Sequence, residues 1–154
     1  MIFLKQTKYR FIKVIALCLV LSLTVPVAAN AATVEPVTPL ASYYLSVYNS
    51  YVCSVGFGRI EVWFDVMGTG DMDEIGALSI KVYESTDNTN WKHVQTYLHE
   101  TYSSMLTENN YFHCSSVSYQ GVPGRYYKAH VCIWAGKNGG GDSRYIWTSA
   151  KQAA

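Results

Sequence analysis

Asp71, Asp73 and Glu74, set between Gly70 and Gly76, form the densest group of possible metal ligands in the chain. Carboxylates clustered on a turn are an ordinary way to hold calcium. The spacing fails the EF-hand pattern, because Ile75 stands where that loop needs a polar ligand and Val82 where it needs a bidentate acid. Acids solvated on a turn are the better reading, and no metal or cofactor is expected.

Catalytic chemistry is equally hard to assemble. His93, His99, His113 and His130 are scattered, with no Gly-x-Ser-x-Gly elbow and no His-Glu-x-x-His. Cys114 adjoins His113, but neighbours on a strand face opposite ways and make a poor nucleophile and base. Paired carboxylates for glycoside cleavage find no evident cleft, since the acids fall mainly in turns. Gly139-Gly140-Gly141 is followed by neither a helix nor Gly-Lys-Ser/Thr, so it reads as a hairpin connection and not a phosphate loop. No catalytic residue is nominated, and the expectation is a protein that is not an enzyme.

These residues sit in a chain that opens like an exported protein. Lys5, Lys8, Arg10 and Lys13 precede an apolar run from Val14 to Val27 and the small residues Ala28-Ala29-Asn30-Ala31-Ala32. That is the three-part pattern of a secretory signal peptide over 1–31, cut after Ala31 or, as a fallback, after Ala29. The run is shorter than the roughly 20 residues of a membrane span and is broken by Ser22, Thr24 and Pro26. Leu17 before Cys18 argues against lipoprotein processing, and nothing after Ala32 resembles a second span. A secreted protein, extracellular or loosely held at the surface, is expected.

Removing 1–31 takes four of the 12 basic residues and none of the 11 acids, leaving eight against 11 and a net charge of −3. Nucleic acid and other polyanions are therefore unexpected partners. The cysteines beyond the leader are Cys53, Cys114 and Cys132. An odd count leaves three options: one disulfide with a free thiol, three free thiols, or pairing between chains. Zinc has neither Cys-x-x-Cys nor paired histidines to bind it.

The elements that must position any site are strands. Residues 32–42, with Pro36 and Pro39, read as an extended leader to a domain over 43–154. Ile60, Val62, Phe64 and Val66 alternate with Arg59, Glu61, Trp63 and Asp65, and Leu78, Ile80 and Val82 alternate in the same way with Ala77, Ser79, Lys81 and Tyr83. Further strands are expected over 43–55, 91–97, 111–119, 125–135 and 143–149, with a helical turn allowed over 100–108. The segments Gly68-Thr69-Gly70, 86–90, 121–124 and 138–142 punctuate them as turns, giving about seven strands in an all-β, antiparallel sandwich.

In the sixth of these strands Tyr127, Ala129, Val131, Ile133 and Ala135 share an inward face, and Tyr126, Lys128, His130, Cys132 and Trp134 point out. A Gly-rich turn leading into Tyr127 resembles the tyrosine corner of immunoglobulin-like and fibronectin type III domains. That resemblance implies a structural role for the Tyr127 hydroxyl. Val62 and Phe64 occupy the positions where an antibody-type domain would place a cysteine, so the fibronectin-like variant fits better.

Four stretches resemble a family of short, signal-bearing proteins of unknown function from Gram-positive, often gut, bacteria. They are Val62 to Gly70, Ile75 to Ile80, the Trp91 turn, and Tyr119 to Ala129. The resemblance implies export and a stand-alone domain and carries no ligand or activity with it.

Twelve of the 13 tyrosines and all four tryptophans follow the leader. If the third, sixth and seventh strands are neighbours, their outer side carries Tyr83, Lys81, Tyr126 and Trp134, joined by Tyr145 and Trp147 if the last strand has the matching parity. Such a row can stack on sugar rings or anchor a protein. The structural alternative is cross-strand packing, or burial of Trp147 with Ile146 turned the other way. Trp134, Tyr126, Tyr83 and Trp147 are accordingly the candidate binding residues of a module for a cell-surface glycan or protein. Self-association through a strand edge or Cys53 is the second reading.

Overall fold

The structure, a computed structural model, describes residues 42–154; the expected signal peptide and residues 32–41 of the leader lie outside the described residues. The elements run β1 (Leu45–Gly56), β2 (Arg59–Ser85), β3 (Lys92–Leu98), a 3-10 turn (Ser103–Met105), β4 (Leu106–Gln120), β5 (Tyr126–Lys137), β6 (Gly140–Trp147) and β7 (Lys151–Gln152). All pairings are antiparallel, in one seven-stranded sheet that curls on itself as a half-barrel. No helix among the described residues is long and apolar enough to cross a membrane.

The 27-residue β2 organises everything else. Its first part pairs with β1 and β4, its last part with β5 and β3, and β6 and β7 add to β5. At Gly76 both neighbours are present, Leu106 of β4 on one edge and Trp134 of β5 on the other. One strand thus passes from one half of the curled sheet into the other, as strands do at the corners of orthogonally packed sheets.

Two expected strands are therefore one, and the turn expected at Gly68-Thr69-Gly70 is an irregularity inside it. The pairing with β4 jumps from Met67 opposite Phe112 to Met72 opposite Asn110. Extra residues on one side of a ladder bend and twist the strand without reversing it. A Cβ on Gly68 would lie 2.8 Å from Met72 Cγ, so the glycine admits a close approach where a reversal was expected. A second shift, between Ala77 and Ser79, puts Ala77 in the core and leaves Leu78 half-buried, breaking the simple alternation read from sequence. Gly76 makes this corner possible: its φ is +152°, and a Cβ there would run into the Met105 carbonyl.

The concave side is lined by Ile60, Val62, Phe64 and Val66 from before the corner and by Ile75, Ala77, Ile80 and Val82 around and after it. From β5 come the inward residues Tyr127, Ala129, Val131, Ile133 and Ala135, all fully buried. Each large side chain removed from water contributes roughly 1.5–3 kcal/mol, so β2 and β5 supply most of the hydrophobic stabilisation. The chain's end closes the fold. Gly58 N–H donates to the Ala154 carbonyl at 2.6 Å, Ala153 N–H to that of Arg125 at 2.9 Å, and Ala154 N–H to Ser54 Oγ at 2.8 Å. This tether and the short β7 have no counterpart among the expected strands. The three cysteines among the described residues are free: Cys114 is exposed, Cys53 half-buried and Cys132 buried.

Candidate binding surface

The convex side of β3, β2, β5 and β6 carries an aromatic cluster built by register. Tyr83 lies opposite Lys128, Lys81 opposite His130, His130 opposite Trp147, and Cys132 opposite Tyr145. Residues two apart on a strand share a face, so all of these side chains rise from the same side of the sheet. The Trp147 ring stacks on His130 at 4.4 Å between centroids and tilts against Tyr83 at 5.1 Å. Tyr145 also stacks on His130, at 5.2 Å, and Tyr83 meets His93 edge-on at 5.4 Å. Lys128 Nζ lies 4.3 Å from the Trp91 ring centroid and 4.7 Å from that of Trp147.

Such contacts fix the rings without hiding them. Tyr145 remains 66% and Trp147 52% exposed, while Ile146 between them packs against the core. The parity of the last strand is thereby settled with Trp147 outward. Burial, with Lys81 adding to it, lowers the pKa of His130, and burial pushes the Cys132 thiol up. With both rings stacked on it, the His130 imidazole serves as a packing partner that holds Trp147 and Tyr145.

The sequence-predicted residues divide. Tyr83 and Trp147 are in the cluster. Tyr126 lies beyond Lys128 on β5, half-buried, opposite Ser85 on one side and Gln152 on the other. Trp134 is four residues from His130, about 13 Å along the strand. Its indole lies across Gly136 and Gly141, and its Nε1 is buried with no hydrogen-bond partner among the described residues. It lines a separate cleft of about 480 Å³ with Asp73, Glu74, Glu108 and Lys137. Lys128, His130, Trp91 and His93 were not singled out as binding residues. The outward parity of β5 marks Lys128 and His130, but only the register of β6 and β3 shows what they touch.

Tyr127 is buried at the other end of β5. Its hydroxyl accepts from Val122 N–H at 2.8 Å and donates to Glu84 Oε2 at 2.5 Å, and Arg125 pairs with the other oxygen of Glu84. Burial raises the Glu84 pKa, but the bonds from Tyr127 and Arg125 and the charges of Arg125 and Lys92 outweigh it and hold the carboxyl below its usual range. Burial and the Glu84 contact push the Tyr127 phenol up to about 12. A Cβ on Gly121 would lie 2.5 Å from Tyr127 Cζ, so the ring is seated directly on that glycine.

The acidic run is placed in β2, not on a turn. Met72 points into the core between exposed Asp71 and Asp73, and Asp73 Oδ2 accepts from Asn138 N–H at 2.6 Å. Among the described residues no three His, Cys, Asp or Glu side chains converge as metal ligands. His113 and Cys114 point apart: the imidazole packs on Phe64 and contacts the Ser104 carbonyl at 2.8 Å, whereas Cys114 is exposed. No protein-family description, curated protein or solved structure matches this chain.

Proposed function

We propose that the chain is exported and acts as a non-catalytic binding module for a cell-surface glycan or protein, engaged through the convex face around Trp147. The observation carrying this reading is that Trp147 and Tyr145 are held by ring contacts to His130 and Tyr83 while more than half of each remains exposed. Rings fixed before a ligand arrives lose little conformational entropy on binding, which is how aromatic anchors produce affinity. The signal-like segment supports export, and the resemblance to short exported Gram-positive proteins agrees with it. Kinship with immunoglobulin-like and fibronectin type III sandwiches is part of the same reading, supported by the bond from Val122 N–H to the Tyr127 hydroxyl. The unbroken β2, shared by both halves of the sheet, is where the connectivity differs.

The test is a screen of residues 32–154 against arrayed glycans, wall fragments and surface proteins, with Trp147→Ala beside it. Saturable binding lost in the variant supports the module; binding indifferent to Trp147 removes it. Self-association is the second reading, favoured by the outward row Val47, Met67 and Phe112 on β1, β2 and β4, exposed by 55%, 38% and 39%. Sedimentation showing a dimer that Phe112→Ser dissolves is the outcome that would favour it.

A further inference from the structure

Charge on the convex face is one-sided. Lys81 and Lys128 rise from adjacent strands, and neither has a carboxylate within salt-bridge distance among the described residues. The acids closest in sequence are committed elsewhere. Glu84 turns to Arg125 and Tyr127, and Asp87 accepts from Ser85 Oγ and from the backbone N–H groups of Thr89 and Asn90 at 2.8–2.9 Å. Glu61 and Asp65 belong to the first part of β2, in the other half of the sheet, and Asp71, Asp73 and Glu74 follow them at the irregularity. These seven carboxylates therefore lie away from the rings, and the two lysines make the face around Trp147 cationic as well as aromatic.

We infer that this face takes an acidic saccharide, a pyranose bearing a ring carboxylate that stacks on Trp147 and Tyr145 while its charge meets Lys128 and Lys81. The inference rests on the binding-module reading and names its ligand. Aromatic rings receive the apolar C–H face of a sugar, and an ammonium supplies a point charge with three donors. Lys128 is held by Trp91 and Trp147, so its position is fixed before binding. With Nζ over the indole at 4.7 Å from its centroid, a sugar that reaches the exposed part of Trp147 lies close to the charge. That short separation favours a carboxylate attached directly to the sugar ring over a sulfate on an exocyclic arm. Arg125 and Arg144 are both paired with acids, to Glu84 and Asp142, and offer no bidentate fork for an oxyanion.

The experiment is calorimetry of residues 32–154 with a galacturonic acid trimer, its methyl ester, a neutral galactose trimer and galactose 6-sulfate. The expected result is that the acid binds at least tenfold more tightly than its ester or the sulfate. Lys128→Gln and Lys81→Gln should each weaken it several-fold, raised salt should weaken it further, and Trp147→Ala should abolish it. Unfolding curves for each variant separate lost binding from lost folding. Lys128→Arg provides a cation of similar reach and should restore most of what Lys128→Gln removes. Equal affinity for acid and ester, preference for the sulfate, or indifference to both lysines overturns the inference. If neutral sugars bind in a Trp147-dependent way and the acid does not, the ligand class fails and the module stands. If no sugar binds, the inference fails, and the screen for protein partners decides the module.

Discussion

Tyr127 donates its hydroxyl to Glu84 across the β5–β2 ladder, joining two residues that are register partners and 43 positions apart in sequence. Because the same oxygen accepts from Val122 N–H, one phenol ties the turn before β5 to the end of β2. Tyr127→Phe should therefore cost about 1–3 kcal/mol, the penalty for stranding a buried donor and a carboxylate acceptor together. Urea unfolding measures it. A change within experimental error would mean that water replaces the hydroxyl.

The same carboxylate gives the fold an acid limit. Glu84 is held below its ordinary pKa of 4.5, so its contribution is present above that value and is lost as pH falls through the folded-state pKa. Thermal unfolding should show the wild-type midpoint dropping as pH falls below 4.5, and Glu84→Gln should flatten that dependence while lowering the midpoint at pH 7. Equal acid sensitivity in the two proteins would place the titrating group elsewhere.

His130 predicts a dependence at milder pH. Its pKa is lowered in the fold by burial and by Lys81; on its other sides it faces Trp147 and Tyr145, and Lys128 is its neighbour two residues away on β5. The unfolded chain then binds the proton more readily, so stability falls as pH drops from the ordinary 6.5 toward the folded-state value. NMR titration of the imidazole should give a value under 6.5, and His130→Phe should remove this step from the stability profile. A titration at or above 6.5 would show that Lys81 and burial do not act on the ring.

What the sequence revealed and what it hid divide along a physical line. Strict alternation announced the inward faces of β5 and the first part of β2, since period two is a local property of each strand. Continuity across Gly68-Thr69-Gly70 was hidden, because glycines permit a reversal and a bulge equally and the choice is made by β4, which pairs on both sides of the irregularity. The aromatic cluster on the convex side is half visible for the same reason. Tyr83 and Trp147 show themselves as outward aromatics, but Lys128 between Trp91 and Trp147 is a meeting of three strand regions. Trp134 obeys the same parity as His130 yet lies down over Gly136 and Gly141, a consequence of side-chain volume that parity does not contain.

Gly76 concentrates the corner in a single position. Its φ of +152° is open to glycine and strained for other residues, and the Met105 carbonyl fills the space a side chain would need. Gly76→Ala should destabilise the fold by about 3 kcal/mol, combining backbone strain with a forced shift of the 3-10 turn. Gly70, where a Cβ would meet nothing within 4 Å, is the control, and Gly70→Ala should be nearly silent. Comparable losses at both positions would mean that the whole irregular region, and not the corner, limits stability.

Trp134 and Trp147 should separate packing from recognition. Trp134 covers two glycines where strand β6 meets β5, so Trp134→Ala opens a void between the hairpin and the sheet and should cost about 2 kcal/mol, less than a fully buried tryptophan. Trp147 is 52% exposed, and its removal should change stability by under about 1 kcal/mol. Ligand binding should respond in the opposite order: lost in Trp147→Ala, and retained in Trp134→Ala at temperatures where that variant is folded. Chemical denaturation paired with binding on the same samples reads both effects. Binding lost in Trp134→Ala and kept in Trp147→Ala would move the recognition surface from the convex rings to the cleft beside Asp73 and Glu108.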